Sequence, residues 1–168
     1  MGGFQRANLY DKKVKHDEKT RKEFRERLHV HIKAIALSQY SKEVNPIKHI
    51  DNIKNISEFT AASTFSFILN NGHLNFGVSQ KLLNLYLKYL WCMDIVVIPP
   101  HFPVDRIIQI KLNEKAKEMN IPTRQIISWT QMTSPKEYLE IISHAKQVLT
   151  KSKFENLAEL ELDIFERN

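Results

Sequence analysis

The sequence predicts an all-α fold, on three observations. Leu, Ile, Lys and Glu are abundant while 168 residues hold only 4 Gly and 6 Pro, a balance that favours helices over a turn-dense β architecture. Apolar residues recur at three- and four-residue steps through most of the chain, the period of a helix with one buried face. Capping and stop residues punctuate those stretches at Asn45-Pro46, Asn70-Asn71-Gly72 and Ser134-Pro135. The length fits one compact domain over 21–168, of seven or eight helices with short connections.

Residues 1–20, with Lys12, Lys13, Lys15, His16, Asp17 and Glu18, read as a charged, poorly ordered lead-in. Phe24, Leu28, Ile32 and Ile35 define the first helix, over 19–42, and Asn45-Pro46 ends it because the residue before a proline is pushed out of helical geometry. A short helix follows over 46–53. Ser57 is then the expected N-cap of a helix over 58–69 with Phe59, Ala62 and Phe65 on one face, and Asn70-Asn71-Gly72 is a stop and turn.

Ser79 is the expected cap of a helix over 80–93, walled by Leu83, Leu87 and Leu90. The run 95–98 beside Pro99-Pro100 reads as a loop packed on the core. Pro103 lies near the first turn of a helix to about residue 119, and Pro122 opens a segment over 123–132. Ser134-Pro135-Lys136-Glu137 is a capping box that starts a helix to about 151, and the last helix covers 154–166.

Lys and Arg outnumber Asp and Glu by 25 to 19, a net charge of +6 that would attract a polyanion. Cys92 is the only cysteine, which excludes an intramolecular disulfide, a four-cysteine zinc site and a four-cysteine iron–sulfur cluster, and suits a reducing cytoplasm. The histidines are scattered without metal-ligand spacing, so neither metal nor other cofactor is expected. No apolar run reaches the roughly 18 residues that span a bilayer, and no membrane association is expected.

The candidate chemistry lies in Gly77-Val78-Ser79-Gln80-Lys81 and Phe102-Pro103-Val104-Asp105-Arg106. A lysine amine that loses its proton is a nucleophile able to form a Schiff base, and a nearby carboxylate can manage that proton. Lys81, expected in the first turn of its helix, meets the positive end of the helix dipole, which disfavours an ammonium. Asn84 and Lys88 extend a polar stripe from it and are candidate nucleic-acid contacts, and Asp105 sits where a helix N-cap acid belongs. Gly77 in a turn before a helix would present backbone N–H groups to a phosphate, with Ser79, Gln80 and Arg106 beside it. His101, Phe102 and Trp129 are candidates for stacking on an unpaired base.

These two segments resemble those of the helix-hairpin-helix base-excision DNA glycosylases, whose hairpin reads roughly G-V-G-x-K-T-A, followed by an apolar helix and a V-D-x-x-V-x-R element. The resemblance is closest to the archaeal 8-oxoguanine DNA glycosylase branch, where a second lysine follows the nucleophile as Lys88 does, and an I-P turn leads to a tryptophan as Ile121-Pro122 leads to Trp129. It covers about residues 70–132. It implies a cleft that takes an extruded base from damaged DNA, with Lys81 as Schiff-base nucleophile and Asp105 as catalytic acid or base in a glycosylase and abasic-site lyase reaction. Ser79 stands where the family has its second hairpin glycine. The same residues also fit a non-catalytic helical module that binds nucleic acid or a protein, with Lys81 on a solvated face and Asp105 a plain cap.

Overall fold

A computed structural model describes residues 8–15 and 17–165. Among them are six α-helices: α1 (Glu18–Gln39), α2 (Pro46–Ala61), α3 (Phe76–Cys92), α4 (Arg106–Glu118), α5 (Pro135–Thr150) and α6 (Leu157–Ile164). Three 3-10 turns, Ser66–Ile68, Asn70–Gly72 and Trp129–Gln131, complete the regular structure. The described residues contain no β-strand, only an isolated bridge between Tyr10 and Leu69. No helix among them is long and apolar enough to cross a membrane. The expectations for residues 1–7, His16 and Glu166 lie outside the described residues.

Five helices start on an Asp or Asn whose side chain accepts the backbone N–H three residues on: Asp17 from Thr20, Asn45 from Lys48, Asn75 from Val78, Asp105 from Ile108 and Asn156 from Glu159, at 2.7 to 3.0 Å. Each satisfies one of the orphan donors of a helix N-terminus. Pro135 opens α5 as expected, but Ser134 makes no capping bond. Asn71 and Gly72 both take left-handed backbone (φ 61° and 72°), so the expected stop is a true turn.

Several boundaries differ from the sequence expectation. The helix expected over 46–53 runs on without a break to Ala61 as α2, because the Ser57 hydroxyl donates to Leu74 O at 2.6 Å and does not cap, and of the rest of the helix expected over 58–69 only the Ser66–Ile68 turn is helical. Helix α3 begins at Phe76, three residues before Ser79, because Asn75 is the cap. The last helix, expected from 154, starts at Leu157 because Asn156 is its cap, and the segment 123–132 holds only the Trp129–Gln131 turn. Residues 9–11 of the expected lead-in are packed: Leu9 is buried, Leu9 O accepts from Asn70 N, and Asp11 N donates to Ile68 O.

Helix α3 is central, with Phe76, Val78, Leu83, Leu87 and Leu90 buried against α1, α2 and the Trp129–Gln131 turn, while α4, α5 and α6 pack on one another. Gly77 allows that docking. Its N–H donates to Met132 O at 3.0 Å, and a Cβ there would run into the carbonyl oxygen of Trp129. Backbone cannot retreat as a flexible side chain can, so the position requires glycine.

Two parallel polar chains cross the core. Asn52 Nδ2 donates to Tyr40 Oη, which leaves the hydroxyl proton for His49 Nδ1 at 2.7 Å. Asn84 Nδ2 likewise donates to Tyr138 Oη, whose partner at 3.1 Å is His101 Nδ1. The two imidazoles meet edge to face, 4.9 Å between centroids. Burial pushes both tyrosine hydroxyls far up and pulls both histidines down, His49 to about 4 with the Asn84 side chain opposing, and His101 lower still with His49 and Lys146 adding to the effect.

Two predictions follow from this packing. Gly77→Ala should destabilise the fold by about 3 kcal/mol or more, read as a lowered urea midpoint. An unfolded histidine takes up a proton near pH 6.5, whereas folded His49 resists until about pH 4. The folded pKa is depressed, so the stability it contributes is present above 6.5 and lost as pH falls. Urea unfolding at pH 7, 6 and 5 should show a decline on the order of 1 kcal/mol per pH unit for each of the two core histidines. Glu161, raised by burial, works in the opposite direction.

Candidate functional site

Lys81 and Asp105 meet. Lys81 lies in the second turn of α3, six residues past the Asn75 cap, so the expectation of a first-turn lysine under the helix dipole is corrected; the dipole acts mainly within the first turn. Asp105 uses its two oxygens separately: Oδ1 caps α4 through Ile108 N at 3.0 Å, and Oδ2 accepts from Lys81 Nζ at 3.1 Å. Both side chains are four-fifths buried, at 20% and 19% exposure. The Lys81 ammonium position is 4.3 Å from the centre of the Trp129 ring, a cation–π contact.

Seven residues along α3, Lys88 repeats the arrangement. Its Nζ is 2.9 and 2.7 Å from the two carboxylate oxygens of Glu161 on α6, and 4.7 Å from the centre of the Phe165 ring. The Glu161 side chain is only 4% exposed. Burial raises its pKa, Lys88 opposes that, and the charge of Asp105 adds to the rise. Both lysine–carboxylate pairs line one cleft of about 420 Å³, whose apolar and aromatic walls include Leu85, Tyr89, Leu162 and Phe165. That volume lies within the range of small-ligand sites, about 300–1,000 Å³.

The supporting shell comes from α3 and α4. Gln80 grips Val104 twice, Nε2 donating to its carbonyl at 2.7 Å and Oε1 accepting its N–H at 3.1 Å, which fixes the residue just before Asp105. Gln109 grips Ile127 in the same way at 2.8 and 2.9 Å, and Asn75 Nδ2 donates to Thr130 O at 2.7 Å. Together with Gly77 N to Met132 O, these bonds hold Trp129 over Lys81.

The sequence-derived candidates therefore separate. Lys81, Lys88 and Asp105 line the cleft, and Trp129 lies against Lys81. Gly77 and Gln80 are buried behind it as supports, and the Gly77 N–H faces Met132 O. Asn84 leaves the expected Lys81–Asn84–Lys88 stripe and turns into the core, bonded to Tyr138 and to Gln80. Ser79 is fully buried, and its hydroxyl has no hydrogen-bond partner. His101 and Phe102, expected as stacking candidates, are buried at 1% and 2% exposure. Arg106 is exposed at the first position of α4.

Glu161 escaped the sequence reading. Its signal was register: Leu157, Glu161 and Ile164 fall on one helix face, so an acid sits in an apolar stripe and needs a buried partner. Chemically, Asp105 Oδ2 and Lys81 Nζ are within reach of a proton transfer between them. Among the described residues no group of three His, Cys, Asp or Glu could hold a metal ion.

Gln80→Leu should strand the Val104 N–H and C=O, both buried, and cost about 2–4 kcal/mol in urea unfolding. The same substitution should loosen Asp105, seen as faster amide exchange at Ile108, its capped donor, than at the first turn of α1. No known protein family, curated protein or solved structure matches this chain.

Proposed function

We propose that this chain is a DNA-binding protein of the base-excision glycosylase and abasic-site lyase type, with α3 and its preceding turn as the helix-hairpin-helix-like element, working in the cytoplasm. The observation that carries the reading is the 3.1 Å contact of Lys81 with Asp105 in a cleft of nucleotide-sized volume. Support comes also from the net charge of +6 and from the resemblance of residues 70–132.

Asp105 accepts a proton from Lys81, and the amine attacks C1′ of the sugar. The C1′–N glycosidic bond breaks, the base leaves with a proton, and ring opening yields an imine between Nζ and C1′. Loss of a C2′ proton then expels the 3′ phosphate and nicks the strand. One feature favours a second reading, a non-catalytic nucleic-acid- or protein-binding module: Asp105 already caps α4, so its bond to Lys81 also serves as a tie between α3 and α4.

Borohydride reduction on duplexes bearing an abasic site, uracil or 8-oxoguanine separates the two. Wild-type protein should be trapped covalently, Lys81→Gln should not be trapped, and Asp105→Asn should be trapped at least about 100-fold more slowly. Absence of trapping on every duplex, or equal trapping by Lys81→Gln, removes the enzyme reading. Salt-dependent DNA binding that needs neither residue then identifies the binding module.

A further inference from the structure

The repeated lysine–carboxylate–aromatic unit along α3 is asymmetric. Asp105 divides its oxygens between Lys81 and the α4 backbone, whereas Glu161 places both on Lys88. Glu161 stands on an eight-residue helix, and Lys88, from the central helix, reaches it across the cleft. We propose that Lys88 is a phosphate subsite of this cleft and that Glu161 is its resident counter-anion, which a phosphoryl group displaces when the ligand enters.

Four observations carry this. Glu161 presents two carboxylate oxygens to one ammonium, the contact a phosphate would offer in its place. A carboxylate this deeply buried is costly to keep ionised, and the Asp105 charge in the same cleft works against it, so Glu161 is the partner that an incoming phosphate oxyanion can best replace. Lys88 stands two helical turns from Lys81, about 10 Å along the axis, so one ligand can reach both. The walls beside Lys88, Tyr89 and Phe165, are aromatic faces suited to a base or sugar next to that phosphate. The inference deepens the proposed function by naming the backbone subsite, and it is tested without any chemistry at Lys81.

Binding of undamaged single-stranded DNA, which carries no lesion to react, is measured by fluorescence anisotropy across a salt series for wild type, Lys88→Gln and Glu161→Gln. Glu161→Gln keeps the side-chain volume and a hydrogen-bond acceptor for Lys88 while removing the competing charge, and should bind roughly tenfold more tightly. Lys88→Gln should lower the slope of log K against log salt by about 0.7, the loss of one phosphate contact on a single strand. Glu161→Asp, which retains the charge on a shorter stem, should fall between wild type and Glu161→Gln and serves if the glutamine variant unfolds. Titration with inorganic phosphate, followed by the NMR signals of Lys88 and Glu161, decides the source. Saturation by phosphate alone marks a small-ligand phosphate site, and a response only to the oligonucleotide marks a nucleic-acid backbone site. Unchanged affinity and unchanged salt slope in folded Glu161→Gln and Lys88→Gln would overturn the proposal and leave the pair as a tie between α3 and α6. Failure of borohydride trapping alone would leave this result untouched.

Discussion

The structure depends on helix-borne amide side chains that satisfy the backbone of two long extended connections. Buried N–H and C=O groups must be paired, and these loops have no neighbouring strand to pair with. A primary amide carries a donor and an acceptor side by side, so a single Gln or Asn can stand in for a strand partner. Gln80 does this for Val104 and Gln109 for Ile127, and Asn113 makes the same pair of bonds to Arg124 on an exposed stretch, at 2.7 and 2.9 Å. Without these grips the extended segments would either solvate their backbone or lose their place on the core, and the side chains they carry would lose their aim.

The candidate site is downstream of that constraint. Val104 is held by Gln80, so Asp105 arrives at Lys81; the 127–132 segment is held by Gln109, Asn75 and Gly77, so the Trp129 ring lies on the same ammonium. Two lysine–carboxylate pairs so far from solvent contribute little net stability, because desolvation offsets much of their attraction. What they do provide is charge held at defined points on the walls of a cleft. The polar chains through Tyr40, His49, His101 and Tyr138 stiffen the core behind that cleft, and their burial makes the whole fold sensitive to acid.

Local signals located most helices but not all their limits. Pro46 and Pro135 open their helices and Asn71-Gly72 makes a turn, because these effects are confined to their own backbone, but α1 ends at Gln39 and α2 at Ala61, before the stops the sequence offered. Ser57 and Ser79 were misread for one reason: each has the chemistry of a cap, and in each case a residue elsewhere took that role or claimed the hydroxyl. Asn75 caps α3 four residues earlier, and Leu74 O, seventeen residues along the chain, draws the Ser57 hydroxyl. Gly77 was read as a turn glycine offering its N–H to a phosphate; it is instead the second residue of α3, its N–H is taken by Met132 O, and the close approach that requires glycine is by Trp129 O.

By itself the sequence determined the helical class and the apolar faces, since periodicity is a local property, and it offered Lys81 and Asp105 as a pair whose meeting the tertiary structure decided. Only the tertiary structure decided that Asn84, His101 and Phe102 belong to the core, that Trp129 covers Lys81, and that Glu161 answers Lys88 from 73 residues away. Burial and charge pairing at such separations depend on how whole helices pack, and no short-range pattern encodes which distant carboxylate will reach a given lysine.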